Sequence, residues 1–186
     1  MLPGEFHYIR GNNETGNNWL VRQDFDVNGD NPAETNQKAI DVLTKGVDSL
    51  GFRLCKGCEH SFDGVSKVIN GINFEKAEVN LIGGGSSRKA LPLFIQKIKE
   101  TKADPKKVKA SIDYSPLSSL TLNGKFCCDA ETSFDRMKDV IESVREFPEF
   151  RVIGVNGYIF HNSGSTLTQE LAFALAMAND YLIALT

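Results

Sequence analysis

The stretch AEVNLIGGGSSRKALPLFIQKI, residues 77–98, contains the signals of one complete β/α unit. Its first six residues are mostly apolar, as in a buried strand, and the glycines at 83–85 permit a tight turn after it. The apolar residues that follow recur at i, i+3, i+4 and i+7, which predicts one face of a helix. They are Leu91, Phe94, Ile95 and Ile98. Pro92 fits this helix only in its first turn, because further in a proline removes a hydrogen bond.

The same alternation recurs along the chain and predicts five β/α units. We expect strands at residues 19–25, 51–55, 77–82, 108–114 and 150–160. We expect helices within residues 31–50, 63–72 and 132–147, after Gly85 and after Thr166. Such alternation implies a parallel sheet with helical crossovers. A doubly wound sheet and a (β/α)8 barrel both fit, and a closed barrel typically needs ~250 residues, so five units form only part of one.

Two of the predicted helices begin with capping signals. Asn31 is a candidate N-cap with Pro32 at the first helical position. Thr166 and Gln169 have the spacing of a capping box. The helix at 132–147 has one apolar face, formed by Phe134, Met137, Val140, Ile141 and Val144. The last helix has one apolar stripe, formed by Leu167, Leu171, Ala174, Ala178 and Leu182.

The composition excludes several classes of function. The 186 residues suffice for one domain with a sizeable core, and a net charge of −3 gives no field that attracts nucleic acid or an anionic membrane. The densest basic stretch, residues 97–109, is interrupted by Glu100 and Asp104, as on a solvated helix face. No apolar run approaches the ~20 residues of a membrane span. The start lacks a secretion signal, and four cysteines are too few for a disulfide scaffold, so we expect a cytoplasmic protein.

One acidic segment begins like a calcium loop. Asp24, Asp26, Asn28 and Gly29 match the first, third, fifth and sixth positions of an EF-hand loop. Thr35 stands at the twelfth position, where a bidentate glutamate is required. We favour a strand-to-helix turn over a calcium site.

The cysteines offer a second candidate metal or redox site. Cys55, Cys58 and His60 lie close in sequence, and Cys127 and Cys128 are adjacent. Adjacent cysteines point in different directions and make a poor second pair of zinc ligands. A redox motif needs a helix that starts at its cysteines, and the residues after Cys58 do not favour a helix start. We favour small packed or loop cysteines and expect no metal ligand.

Two further features leave alternatives open. Residues 82–89, IGGGSSRK, have the strand–turn–helix context in which backbone N–H groups cradle a phosphate, although the glycines also serve a tight turn alone. The stretch matches neither the P-loop nor the dinucleotide motif. His161, followed by Asn162 and Ser163, is either an acid–base group or a hydrogen-bonded residue in a turn.

Two stretches resemble the methylmalonyl-CoA mutase family. Residues 17–25, NNWLVRQDF, are similar to the family's tryptophan–x–x–arginine–glutamine–tyrosine strand. Residues 156–182 are similar to its glycine–tyrosine strand end and the following helix. The second match runs through Gly157, Tyr158, Gly164, Thr166, Glu170, Leu171, Ala172, Leu175, Ala176 and Tyr181. The elements between follow the family's order, so the resemblance covers nearly the whole chain.

The resemblance implies an α/β fold built of parallel β/α units. In the family an N-terminal (β/α)8 barrel holds acyl-CoA against adenosylcobalamin, which a separate C-terminal domain carries, and the reaction interconverts methylmalonyl-CoA and succinyl-CoA. Residues 1–186 are then an incomplete barrel of about five of the eight units, without a cobalamin-binding domain. An unclosed sheet exposes an edge strand and apolar helix faces, so this piece is expected to be prone to self-association.

Three positions depart from the family's active site. The tyrosine that follows the arginine–glutamine pair is Asp24 here, the carboxylate-binding arginine is matched by Asn123, and the histidine after the glycine–tyrosine pair is Ile159. The resemblance therefore implies no catalytic, cofactor-binding or metal-binding residue in this chain. His161 lies two residues beyond Ile159, and in a continuous strand both would point to the same side.

A family-like sequence in which these three positions are replaced is similar to the small subunit of heterodimeric members of the family. That subunit retains the fold but not the active site. Such a chain docks on and stabilises a homologous catalytic subunit, and adenosylcobalamin belongs to that partner. The cobalamin motif D-x-H-x-x-G is absent from this sequence, and CKGCEHSFDG, residues 55–64, replaces a longer segment of the catalytic chains. Two alternatives remain: an active acyl-CoA mutase subunit of altered specificity that uses His161, and a stand-alone α/β phosphate-binding module.

Overall fold

The computed structural model describes residues 4–7, 9, 11, 19–27, 31–55 and 62–186. The strands are β1 (Arg22–Val27), β2 (Ser49–Leu54), β3 (Glu78–Ile82), β4 (Ala110–Ile112) and β5 (Phe150–Arg151). The helices are α1 (Pro32–Thr44), α2 (Phe62–Val68), α3 (Gly85–Glu100), α4 (Pro116–Asn123), α5 (Ala130–Ser143), α6 (Tyr158–Asn162) and α7 (Leu167–Leu185). None of these helices combines the length and apolar character that crossing a bilayer requires.

The five strands form one parallel sheet in the order of the chain, β1-β2-β3-β4-β5. The predicted α/β fold with five parallel units is therefore confirmed. A doubly wound sheet reverses its strand order at a switch point, whereas strands of a barrel follow one another. The observed order is that of consecutive barrel units, with β1 and β5 at the two edges of the described sheet.

The two faces of the sheet differ in polarity because side chains alternate along each strand. The register aligns Asp24 with Gly51, Gly51 with Asn80, Asn80 with Ser111 and Ser111 with Arg151. We define the polar face as the side that carries this row and its neighbours Arg22, Asp26, Ser49, Arg53 and Glu78. The opposite, apolar face carries the buried strand residues Val27, Leu50, Phe52, Leu54, Val79, Leu81, Ala110, Ile112 and Phe150.

The hydrophobic core forms between the apolar face and the helices. Phe94 of α3 contacts Phe74 and Phe150 edge to face, with ring centroids 5.8 and 6.2 Å apart, a favourable aromatic geometry. The predicted apolar face of α3 is confirmed, since all four of its residues are buried. Met137 and Val140 of α5 and Val144, which directly follows it, are buried, and the other two residues of the predicted face pack against the core.

The capping predictions are also confirmed. The Asn31 side chain accepts a hydrogen bond from the Glu34 N–H, and Pro32 is the first residue of α1. Thr166 and Gln169 form the reciprocal bonds of a capping box at the start of α7. Each pair satisfies backbone N–H groups that a helix start otherwise leaves without partners.

Several predicted boundaries were wrong. The first helix ends at Thr44 rather than near residue 50, because Gly46 adopts a positive φ of 96° and Ser49 already belongs to β2. Pro92 lies inside α3, which accommodates it without the hydrogen bond that an N–H there would donate. The segment after β4 forms an additional helix, α4, which the sequence pattern did not indicate.

The predicted fifth strand at 150–160 and the predicted stripe of the last helix also differ from the structure. Pairing of β5 stops at Arg151, because its partner β4 ends at Ile112 and the chain enters α4 four residues later. Residues 158–162 form α6 instead of strand. In α7 the buried residues are Met177 and Tyr181, whereas three leucines of the predicted stripe are exposed: Leu167, Leu171 and Leu182.

Tyr181 connects α7 to the start of α4. Its ring is 2% exposed and packs against Phe134 with centroids 6.4 Å apart. Its hydroxyl lies 2.6 Å from Ser115 Oγ and accepts a hydrogen bond from the Leu117 N–H at 3.0 Å. Burial raises the pKa of Tyr181, so the hydroxyl stays neutral and available for both contacts.

Replacing Tyr181 with phenylalanine removes this hydroxyl and keeps the ring. We expect the free energy of unfolding of the full-length protein to fall by about 1 kcal/mol, because the partly buried Leu117 N–H loses its partner and the Ser115 hydroxyl loses one of its contacts. Urea denaturation measures the change. Tyr158, which is 65% exposed, provides the matched control: Tyr158→Phe should change the same quantity by less than about 0.5 kcal/mol. Equal losses in the two variants would contradict this role for Tyr181.

Asp129 caps α5 and links its stability to pH. Its carboxylate accepts hydrogen bonds from the Thr132 N–H at 2.8 Å and the Thr132 hydroxyl at 2.7 Å, and the pKa of Asp129 is lowered, chiefly by that N–H. Because the folded-state pKa is depressed, the cap stabilises the fold above the ordinary aspartate pKa. This contribution is lost as the pH falls through the folded-state pKa.

Asp129→Asn retains an oxygen acceptor but cannot titrate. We expect the variant to lose less stability than the wild type between neutral and acidic pH, because the charged form of the cap no longer contributes. The free energy of unfolding measured across this range, with Asp135→Asn on the same helix as the control, tests the sign. An unchanged acid-side slope in Asp129→Asn would show that this carboxylate does not titrate in the linked manner.

Candidate functional site

The charged side chains on β1 and β2 compensate one another at the candidate site. Asp24 Oδ1 lies 2.7 Å from Arg22 Nε, and Asp24 Oδ2 lies 3.4 Å from Arg53 Nη2. Arg53 also contacts Asp26 through Nη1 and Oδ1 at 2.8 Å. The parallel register causes this arrangement, since Asp26 is directly opposite Arg53 and Asp24 is opposite Gly51. Two carboxylates and two guanidinium groups therefore form one chain of ion pairs.

Gly51 provides the space that the Asp24 side chain occupies. A Cβ placed on Gly51 would lie 1.9 Å from Asp24 Oδ1 and 2.9 Å from Arg22 Nη2. Both distances are far below van der Waals contact, so any side chain at this position displaces the ion pair. The absence of a side chain in the interior of a strand thus has a specific reason here.

A second polar network crosses the middle of the polar face. Glu78, whose side chain is 8% exposed, pairs with Arg151 two strands away and accepts a hydrogen bond from Ser49 Oγ at 2.6 Å. Asn80 donates to Ser49 Oγ at 2.9 Å and to the Leu50 carbonyl, and accepts from the Ser111 hydroxyl. Each buried side chain of this network, Ser49, Glu78 and Asn80, therefore has a partner, as a stable buried network requires.

Asp113 follows β4 and adds a carboxyl group near this face. Its Oδ1 lies 3.9 Å from where a Cβ on Gly154 would be. The pKa of Asp113 is raised because nearby protein atoms desolvate the carboxyl group, and the positive charge of Arg22 opposes this effect. The residue as a whole is nevertheless exposed.

The side chains of His161 and Ile159 do not share one side of a strand, as was expected from the sequence. Both lie in α6, so the argument from strand alternation was wrong. The imidazole Nδ1 is 3.0 Å from Glu170 Oε2 of α7, with 54% of the side chain exposed. Ile159 is partly buried and packs against the core. The contact between His161 and Glu170 therefore joins α6 to α7.

Asn123 is committed to its own helix. It is the last residue of α4, and its Nδ2 donates to the Ser119 carbonyl at 3.0 Å. An amide bound in this way supports the end of the helix, which Gly124 terminates in the left-handed conformation with φ 68°. The side chain is exposed and has no charge.

Only some residues of the candidate calcium and cysteine sites lie within the described part of the chain. Asn28, Gly29, Cys58 and His60 lie outside the described residues. Asp24 and Asp26 are engaged by arginines, and no three residues of metal-ligating type cluster within the described ranges. Among the cysteines, Cys55 is bonded in a disulfide, whereas Cys127 and Cys128 are free thiols. Cys128 Sγ lies 3.1 Å from Ser133 Oγ and 3.3 Å from Arg136 Nη1.

The lysines of the basic stretch at 97–109 are partly engaged by carboxylates. Lys97 pairs with Glu100 at 3.4 Å, and Lys99 pairs with Glu146 at 2.6 Å. Lys107 lies 3.7 Å from Glu75. These are solvent-exposed pairs of the kind that surround ordinary helices, and the sequence-based interpretation of a solvated face agrees with them.

Comparison with known proteins determines the family. The family model described as methylmalonyl-CoA mutase matches residues 57–186. This chain belongs to the methylmalonyl-CoA mutase family. The methylmalonyl-CoA mutase small subunit of Porphyromonas gingivalis is 38% identical over 188 residues, which cover 100% of this chain and 29% of that protein.

More distant relatives cover the same share of the family's chains. The methylmalonyl-CoA mutase small subunit of Streptomyces virginiae is 26% identical, with 99% of this chain and 29% of that protein aligned. The methylmalonyl-CoA mutase of Rhizobium meliloti is 27% identical over 207 residues, with 97% and 29% aligned. The chain thus spans 29% of the length of these curated relatives.

Sequence reasoning missed the pairing on the polar face. It singled out Asp24 but did not foresee its partners Arg22 and Arg53, nor the link from Glu78 to Arg151. The signal that was available is Gly51, because a glycine within a strand often marks a close approach of another group. The remaining partners depend on register between strands, which no local pattern encodes.

Gly51→Ala tests this close approach. We expect the free energy of unfolding to fall by about 1 kcal/mol, because the added methyl group displaces the part-exposed Asp24 carboxylate from its ion pairs. In the Asp24→Ala background the same substitution should cost less by at least about 0.5 kcal/mol. A double-mutant cycle by urea denaturation of the full-length protein measures the difference. Equal costs in the two backgrounds would exclude the carboxylate as the reason for glycine.

Proposed function

We propose that this chain is part of the small, non-catalytic subunit of an adenosylcobalamin-dependent methylmalonyl-CoA mutase. It docks on a homologous catalytic subunit and stabilises it, and the complex interconverts methylmalonyl-CoA and succinyl-CoA. The observation that carries the proposal is that Asp24, Asn123 and Ile159 stand where the resemblance expects substrate-binding groups. The names of the relatives from P. gingivalis and S. virginiae, both small subunits, support it.

Asp24 is the most informative of the three positions. A tyrosine there would donate a hydrogen bond from a neutral phenol, whereas Asp24 supplies a carboxylate that accepts only. This carboxylate already engages Arg22 and Arg53. Its negative charge disfavours a dicarboxylic acyl group nearby, and the two arginines are compensated by it rather than available to bind that group.

The side chains at the other two positions also lack the groups that would bind the substrate. Ile159 has no donor for a thioester carbonyl. Asn123 cannot form a bidentate, charge-assisted contact with a carboxylate, and its amide is bound to the Ser119 carbonyl. Loss of one transition-state contact typically costs about 2.7–4 kcal/mol, so the combined loss of three is sufficient to abolish turnover.

The cofactor is assigned to the partner subunit. Adenosylcobalamin supplies radical chemistry to enzymes that bind it. In the family a separate C-terminal domain binds cobalamin through a D-x-H-x-x-G motif, whereas the 186 residues resemble the N-terminal barrel. We assign to this chain no residue that holds the cofactor, and its contribution is to the assembly of the complex.

The barrel itself is completed by further β/α units in this proposal. The described sheet has β1 and β5 as edge strands, and their unpaired backbone groups are those that closure of an eight-stranded barrel would satisfy. We propose that residues 1–186 form one domain together with these additional units. Heterodimer formation then involves the finished barrel.

Reconstitution of the complex tests the proposal. The full-length chain and the catalytic subunit of the same organism are purified separately and mixed with adenosylcobalamin and methylmalonyl-CoA. We expect no isomerisation by the chain alone, formation of a stoichiometric complex on mixing, and a higher melting temperature of the catalytic subunit within it, because binding to the native state stabilises it.

His161→Ala in the small subunit separates this proposal from an active subunit that uses the histidine. In the reconstituted complex we expect kcat and KM to stay within about twofold of the wild type, because the imidazole is engaged by Glu170 of α7 in a contact between two helices. Glu170→Gln serves as the matched variant on the other side of the contact. Isomerisation by the chain alone that His161→Ala abolishes would replace the proposal with the active-subunit alternative.

A further inference from the structure

We propose that the turn between β3 and α3, residues 83–88, is a binding site for a phosphate group. The site goes beyond the proposed function, because it requires neither the partner subunit nor the reaction. It consists of the N-terminal N–H groups of α3, the Ser87 hydroxyl and the Arg88 guanidinium.

The start of α3 has no side-chain cap. Gly84 is its N-cap with φ 54° and provides no side-chain hydrogen bond, and the first turn contains no acidic residue. By contrast α1, α4, α5 and α7 are each capped by a side chain: Asn31, Ser115, Asp129 and Thr166. The N-terminus of a 16-residue helix carries partial positive charge and N–H donors, which an anion stabilises.

The surface of the turn is open. A Cβ placed on Gly84 or Gly85 meets no atom within 4 Å, so a ligand can approach the backbone there. Gly83, in contrast, is enclosed: its Cβ would lie 2.9 Å from the Leu54 carbonyl oxygen and 3.4 Å from Ser87 Oγ. The three glycines therefore combine a backbone held against β2 with an accessible outer edge.

Ser87 supplies independent evidence for a ligand. The residue is 0% exposed, and its Oγ is the one buried side-chain oxygen or nitrogen without a hydrogen-bond partner in the described ranges. The atom faces Gly83, on the turn that forms the site. Buried hydroxyl groups are nearly always satisfied, so this orphan indicates an acceptor that the chain itself does not provide. An oxygen of a bound phosphate is such an acceptor.

Arg88 adds positive charge at a position where a helix normally favours negative charge. It lies in the first part of α3, and its positive charge lowers the pKa of Tyr114, opposing the larger raising effect of burial. A cation at a helix N-terminus is unfavourable by itself because both carry positive charge. A doubly charged oxyanion bound at the turn attracts both the helix terminus and the guanidinium, and these attractions offset their repulsion.

These donors favour a phosphate group over a carboxylate. Backbone N–H groups, one hydroxyl and one guanidinium approach from different directions, and a tetrahedral anion has enough oxygens to accept from all of them. The carbonyl of Cys55 accepts from the Ser86 hydroxyl at 3.0 Å, which fixes the turn. The Ser86 and Arg88 N–H groups already donate to the Gly83 and Gly84 carbonyls, so the donors offered to the anion are the N–H groups of Gly84, Gly85 and Ser87. The chemistry does not distinguish inorganic phosphate from the phosphate of a larger ester.

Amide hydrogen exchange of the full-length protein tests the site directly. Inorganic phosphate is one probe, and coenzyme A, which carries phosphate esters, is the second. We expect at least one of them to slow exchange of the amides at 84–88, and the more effective probe identifies the source of the phosphate group. Unchanged exchange at these amides with both probes at saturation would overturn the proposal.

Two substitutions make the test specific. Ser87→Ala removes the orphan hydroxyl, and Arg88→Gln removes the charge. We expect each to weaken phosphate binding, measured by calorimetry, by about tenfold, since charge-assisted contacts are lost. Arg145→Gln is the matched control, because Arg145 is exposed and pairs with Glu142 on the surface of α5. Undiminished binding in both Ser87→Ala and Arg88→Gln would place the anion elsewhere and refute the site.

Discussion

The parallel register of consecutive strands is the constraint on which the rest of this structure depends. It places Asp24, Gly51, Asn80, Ser111 and Arg151 in one row, so that their side chains share the polar face. A shift of one residue would turn each of these groups toward the hydrophobic core. Burial of apolar residues on the opposite face therefore also determines which charged groups meet.

The consequence for the polar face is internal compensation. Arg22, Asp24, Arg53 and Asp26 form a chain of ion pairs, and Glu78 engages Arg151 within a hydrogen-bonded network. Groups that neutralise each other have little capacity left to hold a charged ligand. The fold needs the polar groups of this face to be satisfied, and side chains that pair with one another satisfy them within the chain.

The sequence predicted the fold better than the site because different ranges of interaction control them. The apolar spacing in α3 and the caps at Asn31 and Thr166 involve residues a few positions apart, and the structure confirms them. The predicted strand at 150–160 failed because pairing depends on the length of β4, which lies far away in the chain. The predicted direction of the His161 side chain was wrong for the same reason, because it depends on whether that segment is strand or helix.

The sequence by itself determined the order of the β/α units, the principal helix caps and the family, because these reside in local periodicity and in motifs such as the one from Gly157 to Tyr181. Only the tertiary structure decided the partners of Asp24 and Glu78, the contact of His161 with Glu170, and the orphan hydroxyl of Ser87. These contacts join residues on different elements, and their geometry arises only when the strands align and the helices pack against one face of the sheet.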